Sequence, residues 1–265
     1  MFITYKNGKE YSLDYDDEAH SYKVDGVKIP SVTRVVDACF PKHLVDWALS
    51  IGEEEYHRVI DEALEIGNDT HKWIEYYINN QHAWDATDGL RLSNDLRSKE
   101  TLDSVKAFIK WEREFKPQWI DAERKIYCDK YKYAGTVDAV AKINGRVCVI
   151  DFKTSKKIYK PYHLQVTAYA QAIKRIDGLG RWPLGIILRL DKETGEYEQK
   201  VFEPKDHFNT FKKCLELKQW SSLRIKNEKD KLEKKNKVVV TETMMDDERV
   251  RDAKANLYGG RWGLY

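Results

Sequence analysis

Residues 133 to 153 read YAGTVDAVAKINGRVCVIDFK. β-branched and apolar residues flank Asn144-Gly145, a dipeptide suited to two-residue hairpin turns because both central positions need positive φ. The pattern predicts strands over 133–143 and 146–153. Across such a turn the paired positions have a constant sum. Ile143 faces Arg146 (143 + 146 = 289), so Asp138 falls opposite Asp151 (138 + 151 = 289). Directly opposed Cβ atoms lie roughly 5 Å apart, and two carboxylates at that spacing repel by roughly 3 kcal/mol at an effective dielectric of about 20. A shared proton or a bound cation is the usual compensation. Lys153, two residues beyond Asp151 and on the same face, adds a fixed positive charge. The reverse face carries Val137, Ala139, Ala141, Ile143, Cys148, Ile150 and Phe152 and reads as core.

The chain has 265 residues, of which 42% are hydrophobic, enough to bury one sizeable core. Its net charge is only +2 although 34% of residues are charged, so any surface for a polyanion must be a local patch. Cys39, Cys128, Cys148 and Cys214 are widely spaced and form no CxxC pair, as in reduced thiols of a cytosol-like compartment. The first twenty residues are polar and acidic and read neither as a signal peptide nor as a transit peptide. No segment approaches 18 uninterrupted apolar residues. A cytoplasmic protein is expected, or one of the host cytoplasm if the gene is phage-borne.

Residues 2–30 read as short strands with turns at Asn7-Gly8 and Asp25-Gly26. Ser31 or Thr33 is placed to cap the helix that follows. A helical pattern runs from about 42 to 79, first through Leu44, Trp47, Ala48 and Ile51, then through Tyr56, Val59, Ile60, Ala63 and Leu64, then through His71, Ile74, Glu75 and Ile78. Gly67-Asn68 is expected to break it in two. His71 and Glu75, four residues apart, share a face of the second half. After a polar connection at 80–95, residues 99–115 form an amphipathic helix ended by Pro117, and 119–128 a strand that carries Glu123. Beyond Lys153, Pro161 suits a first helical turn, and a helix is expected over 161–176. Spacing alone puts Gln165 and Tyr169 on a solvated rim of that helix. A second hairpin, 184–190 with 197–202, turns at Thr194-Gly195, and a helix follows at about 205–222. The run RIKNEKDKLEKKNK at 224–237 reads as a solvated helix or linker, and the aromatic, glycine-containing end YGGRWGLY shows no periodicity.

Taken in order, GNDTHKWIE at 67–75, GTVD at 135–138, DFK at 151–153 and QVTAY at 165–169 resemble the PD-(D/E)XK nuclease superfamily. Within it they look like the RecB-type exonuclease branch with its phage-encoded members. The likeness extends from Ser31, where SVT is also similar, to about residue 220. It implies an α/β restriction-endonuclease-like core, a central mixed β-sheet flanked by helices. It also implies that Asp138, Asp151, His71 and the backbone carbonyl of Phe152 are ligands of a divalent metal. Lys153 would orient the attacking water or stabilise charge on the phosphate, and Gln165 and Tyr169 would contact DNA near the scissile bond. Glu75 and Glu123 would support these groups without touching the ion. Oxygen ligands suit Mg²⁺, and an imidazole shifts the preference toward Mn²⁺.

The expected domains are an N-terminal hairpin region at 1–30, a nuclease core at 31–222, and a charged linker and tail at 223–265. The expected activity is metal-dependent exonucleolytic hydrolysis of DNA, of single strands or free ends, in replication, repair or recombination, alone or with proteins of those processes. Two alternatives stay open: a structure-specific or flap endonuclease on the same core, and an inactive DNA-binding module. Some relatives carry an iron–sulfur cluster on one N-terminal and three C-terminal cysteines. Only Cys214 follows the hairpin here, so no cluster is expected. Nor is there a GxxxxGK[ST] phosphate loop, so no ATP-driven motor is expected.

Overall fold

In the computed structural model, which describes residues 1–40, 50–80 and 98–222, the Asn144-Gly145 turn forms with φ of +48° and +74°. It joins the third and second of five strands in the main sheet. In chain order these are β5 (Gln118–Cys128), β6 (Tyr133–Ile143), β7 (Arg146–Lys153), β8 (Leu184–Leu190) and β9 (Tyr197–Phe202), and they neighbour one another in that same order. β5, β6 and β7 are mutually antiparallel, β7 and β8 run parallel, and β9 returns antiparallel. The parallel step requires a crossover, which is helix α4 (Lys160–Ile176), with proline in its first turn as the sequence suggests. The mixed sheet flanked by helices is the expected core.

The register between β6 and β7 is the one obtained from the turn, from Ile143↔Arg146 to Ala139↔Ile150. It ends one pair short of Asp138 and Asp151. Between β5 and β6 the pairs Ala122↔Ala139 and Arg124↔Val137 skip Glu123 and Asp138, and Glu123 has φ of +47°. Alternation slips at the same place: Val137 and Val140, three apart, pack in one core cluster while Ala139 and Ala141 face the other. The sheet therefore opens locally around Asp138 on both sides. A strictly regular hairpin does not account for the acidic pair.

Both faces of the sheet are buried, not only the one the sequence singled out. Against one face pack α2 (Glu53–Asn79) and α3 (Lys99–Phe115) through Trp73, Ile74, Ile78, Phe108 and Trp111. Against the other lie α1 (Val32–Cys39), capped by Ser31 as expected, α4, and Phe208, Phe211 and Cys214 of a last helix over 208–222. The chain divides into two compact units, Met1–Leu217 and Lys218–Tyr265.

α2 is continuous through Gly67, contrary to the expected break. An interior glycine costs only about 1 kcal/mol in a helix, and the turns around it are held by buried Ile66, Thr70, Trp73 and Ile74. The apolar residues of its first half do not reach the core. Val59, Ile60, Ala63 and Leu64 instead line a cleft, and Leu64 is 58% exposed. Leu44, Trp47 and Ala48, the connection at 81–95, and the basic run and tail beyond 223 lie outside the described residues.

Residues 1–29 form an antiparallel meander, β1 (Phe2–Thr4), β2 (Glu10–Asp16), β3 (Ser21–Val24) and β4 (Val27–Ile29). Asp25-Gly26 makes the expected tight turn between Val24 and Val27. Ile3, Tyr5, Leu13, Tyr22 and Val24 join the core beneath α4, and the Tyr5 hydroxyl donates to the carbonyl of Tyr127 at 2.6 Å. Among the described residues no helix is long and apolar enough to cross a membrane.

Candidate active site

A cleft of about 1210 Å³ opens beside the first half of β6 and the end of β7, between α2, the N-terminal meander and the start of α4. His71, Asp138, Phe152, Lys153, Gln165 and Tyr169, all predicted from the sequence, line it, together with Glu123. Asp151 lies behind this surface and is fully buried.

His71 reaches the hairpin from the middle of α2. Its Nε2 lies 3.2 Å from the carbonyl oxygen of Phe152, and its Nδ1 lies 3.8 Å from Asp138 Oδ2 and 3.6 Å from Glu123 Oε1. Where the β6–β7 ladder has ended, the backbone N–H of Phe152 donates to Asp138 Oδ2 at 2.8 Å, so a side chain replaces the missing ladder partner. His71, Glu123 and Asp138 each bring one ligand atom within 4.8 Å of the others. Asp151 is outside that group. Its Oδ2 forms an ion pair with Lys153 Nζ at 2.8 Å, yet neither of its oxygens has a hydrogen bond of good geometry.

Burial dominates the titration of these groups. It pushes the Asp151 carboxyl up to about 6; Lys153 opposes the rise and Asp138 adds to it. Asp138 is likewise raised by burial, against the pull of His71 and Lys153. Burial favours neutral His71 and neutral Lys153, but the surrounding carboxylates outweigh it, and both end above their usual values. The buried carboxylate of Asp151 is short of partners, Asp138, Glu123 and the Phe152 carbonyl are hard oxygen donors, and His71 supplies nitrogen, a donor set that suits a divalent metal.

The sequence reading gives Glu123 only a supporting place beside these groups. The structure puts its carboxylate against His71, made possible by the left-handed backbone at that residue, a conformation that costs a non-glycine residue roughly 1–3 kcal/mol. Nothing in the hydrophobic pattern signals it; extending the β5–β6 register, in which 123 + 138 = 261 matches Ala122↔Ala139, would have. Glu75 of α2 also lines the cleft.

The glycine of GTVD has a steric reason. A Cβ at Gly135 would stand 2.9 Å from Tyr169 Cε1 and 3.3 Å from Val32 Cγ2. Tyr169 is only 3% exposed, so it is not on a solvated rim, and its hydroxyl accepts from Gln165 Nε2 at 3.1 Å. Burial, followed by the charges of Asp138 and Asp151, keeps that phenol well above its usual pKa, so it stays protonated.

The model of the PD-(D/E)XK nuclease superfamily matches residues 30–237, and this chain belongs to that superfamily. Mitochondrial genome maintenance exonuclease 1 of Mus musculus and of Homo sapiens are each 28% identical to it over 160 residues, covering 55% of this chain. The chain spans under half, 44%, of those relatives' length. Among solved structures, that of SSO0001 aligns with a TM-score of 0.29 at 15% identity, over 58% of this chain and 74% of that one.

Proposed function

We propose that this protein is a metal-dependent DNA exonuclease that acts on single strands or free ends in replication, repair or recombination. The observation that carries the reading is the convergence of His71, Asp138 and the Phe152 carbonyl beside Lys153 and the buried Asp151 with which it pairs, in one cleft. The superfamily supports the nuclease class, and the exonuclease relatives support the mode of attack.

In this reading His71, Asp138, Asp151 and the Phe152 carbonyl hold Mg²⁺ or Mn²⁺, with Glu123 beside them. When bound, the ion neutralises phosphate oxygens and lowers the pKa of water at the site. Asp138 holds one oxygen on the Phe152 N–H, which fixes its rotamer and leaves its second oxygen available. Lys153 stays protonated beside Asp151, placed to orient the nucleophile or to meet charge developing on the phosphate. Gln165 and Tyr169 offer neutral donors to the strand at the scissile phosphate.

The test is digestion of end-labelled single- and double-stranded DNA with Mg²⁺ or Mn²⁺ by the wild-type chain and by Asp151→Ala and Lys153→Ala. Both substitutions are expected to abolish cleavage, and full activity in either would sink the assignment. Covalently closed single-stranded circles should survive while linear strands are degraded; cleaved circles would point to an endonuclease on the same core.

A further inference from the structure

The segment that follows the catalytic strand, Lys153-Thr-Ser-Lys-Lys-Ile-Tyr-Lys160, contains four lysines and no acidic residue. Ile158 packs against the core and Ser155 Oγ donates to the Lys157 carbonyl at 3.0 Å, so the loop is anchored. Among the described residues no ion pair reaches Lys156, Lys157 or Lys160, and all three are exposed. Tyr159, the residue before α4, is a large aromatic left 40% exposed, and its ring neighbour Tyr162 lines the cleft. Lys157 Nζ lies 5.2 Å from its ring centroid, and Tyr162 meets it edge-on at 5.7 Å. Tyr162 in turn carries Lys153 at 5.1 Å and lines the cleft beside Lys156.

An unbroken series of cations and aromatic rings thus leads from the Asp151–Lys153 pair out of the cleft. Resting on the nuclease reading, we infer that Tyr159, with Lys156, Lys157 and Lys160, is a landing site for the unpaired strand next to the scissile phosphate, one base stacking on the Tyr159 ring. Lysines without carboxylate partners complement a phosphate backbone, and an exposed ring accepts any base face. In a duplex those faces are already stacked on their neighbours, so the site selects single strands. The aromatic edge held by Tyr162 and the cation held by Lys157 fix the ring before substrate arrives.

The experiment uses the full chain and fluorescein-labelled oligothymidine of 20 nucleotides. Affinity is read by anisotropy in EDTA, and KM and kcat are read with Mg²⁺ or Mn²⁺ on the same strand. Tyr159→Ala is expected to weaken single-strand binding roughly tenfold and to raise KM with kcat little changed, while a blunt duplex of equal length loses less than threefold. Tyr159→Phe, which keeps the ring, should restore wild-type values, and Lys157→Ala should lower the slope of log affinity against log salt by about 1. Unchanged affinity and KM in Tyr159→Ala, or equal losses on strand and duplex, would overturn the inference. Absence of cleavage by the wild-type chain with either ion would overturn the nuclease reading instead, and the EDTA titration still tests the platform by itself.

Discussion

His71 Nε2 and the carbonyl oxygen of Phe152 stand 3.2 Å apart, joined across 81 residues of chain. The carbonyl can only accept, so the contact is a hydrogen bond when Nε2 carries a proton, and the two atoms are both lone-pair donors to a cation when it does not. Removing the imidazole by His71→Ala is expected to weaken Mn²⁺ binding at least tenfold and Mg²⁺ binding less, because magnesium prefers oxygen. Titration calorimetry with each ion checks this. Since neighbouring carboxylates hold the His71 pKa above its ordinary 6.5, Mn²⁺ must displace a proton below that raised value. Affinity should therefore increase with pH through neutrality and proton release should appear in buffers of different ionisation enthalpy.

Glu123 should show a conflict between stability and function. At φ of +47° inside a strand its backbone is strained, and its carboxylate faces His71. Glu123→Gly relaxes the backbone and removes that carboxylate. The variant should unfold at equal or higher urea concentration, a gain of up to about 1 kcal/mol, while binding Mn²⁺ more weakly. A clear loss of stability would mean that the side chain holds the sheet together at the Asp138 opening.

Two motif glycines should respond to alanine with opposite signs. At Gly67, inside α2, the added Cβ meets Thr154 Oγ1 at an ordinary 3.6 Å, so helix propensity dominates and Gly67→Ala should stabilise by about 0.5–1 kcal/mol. At Gly135 the Cβ would press on Tyr169 at 2.9 Å and Val32 at 3.3 Å inside a close-packed core. Gly135→Ala should cost about 1–3 kcal/mol and also reduce turnover by shifting Tyr169 and its Gln165 partner. Chemical denaturation of both variants, with turnover on labelled single strands, separates the effects.

What the sequence made legible follows from local rules. Asn144-Gly145 dictates its turn, the turn dictates the register down to Ala139↔Ile150, and Pro161 and Ser31 mark the starts of their helices. What stayed hidden depends on tertiary structure. The ladder opens at Asp138 because its side chain binds the Phe152 N–H, a contact absent from any period-2 pattern. Spacing alone makes Tyr169 a rim residue because one helix does not reveal that Gly135 leaves space for its ring. Gly67 reads as a break from propensity alone, whereas the packing of Trp73 and Ile74 carries the helix through it, and the direct contact of Glu123 with His71 depends on a backbone that departs from the strand carrying it.

The Asp151 carboxyl is a cost to the metal-free fold at neutral pH. Burial raises its pKa from the ordinary 3.8 to about 6, so the native state holds this proton more tightly than the unfolded chain. Stability of the metal-free protein therefore falls as pH rises from about 4 to about 6 and stays lower above, by about 3 kcal/mol at 1.36 kcal/mol per pKa step. Asp151→Asn has no such proton to lose. In EDTA, its urea midpoint should change less than that of the wild type across this window, and at pH 7 the variant should be the more stable protein despite losing its ion pair with Lys153. Mn²⁺ or Mg²⁺ should reverse the order. An ion at about a hundred times its dissociation constant stabilises the wild type by about 2.7 kcal/mol and leaves Asp151→Asn nearly unmoved. If both proteins gain equally from the ion, Asp151 is not one of its ligands, and the group formed by His71, Glu123 and Asp138 binds the metal without it.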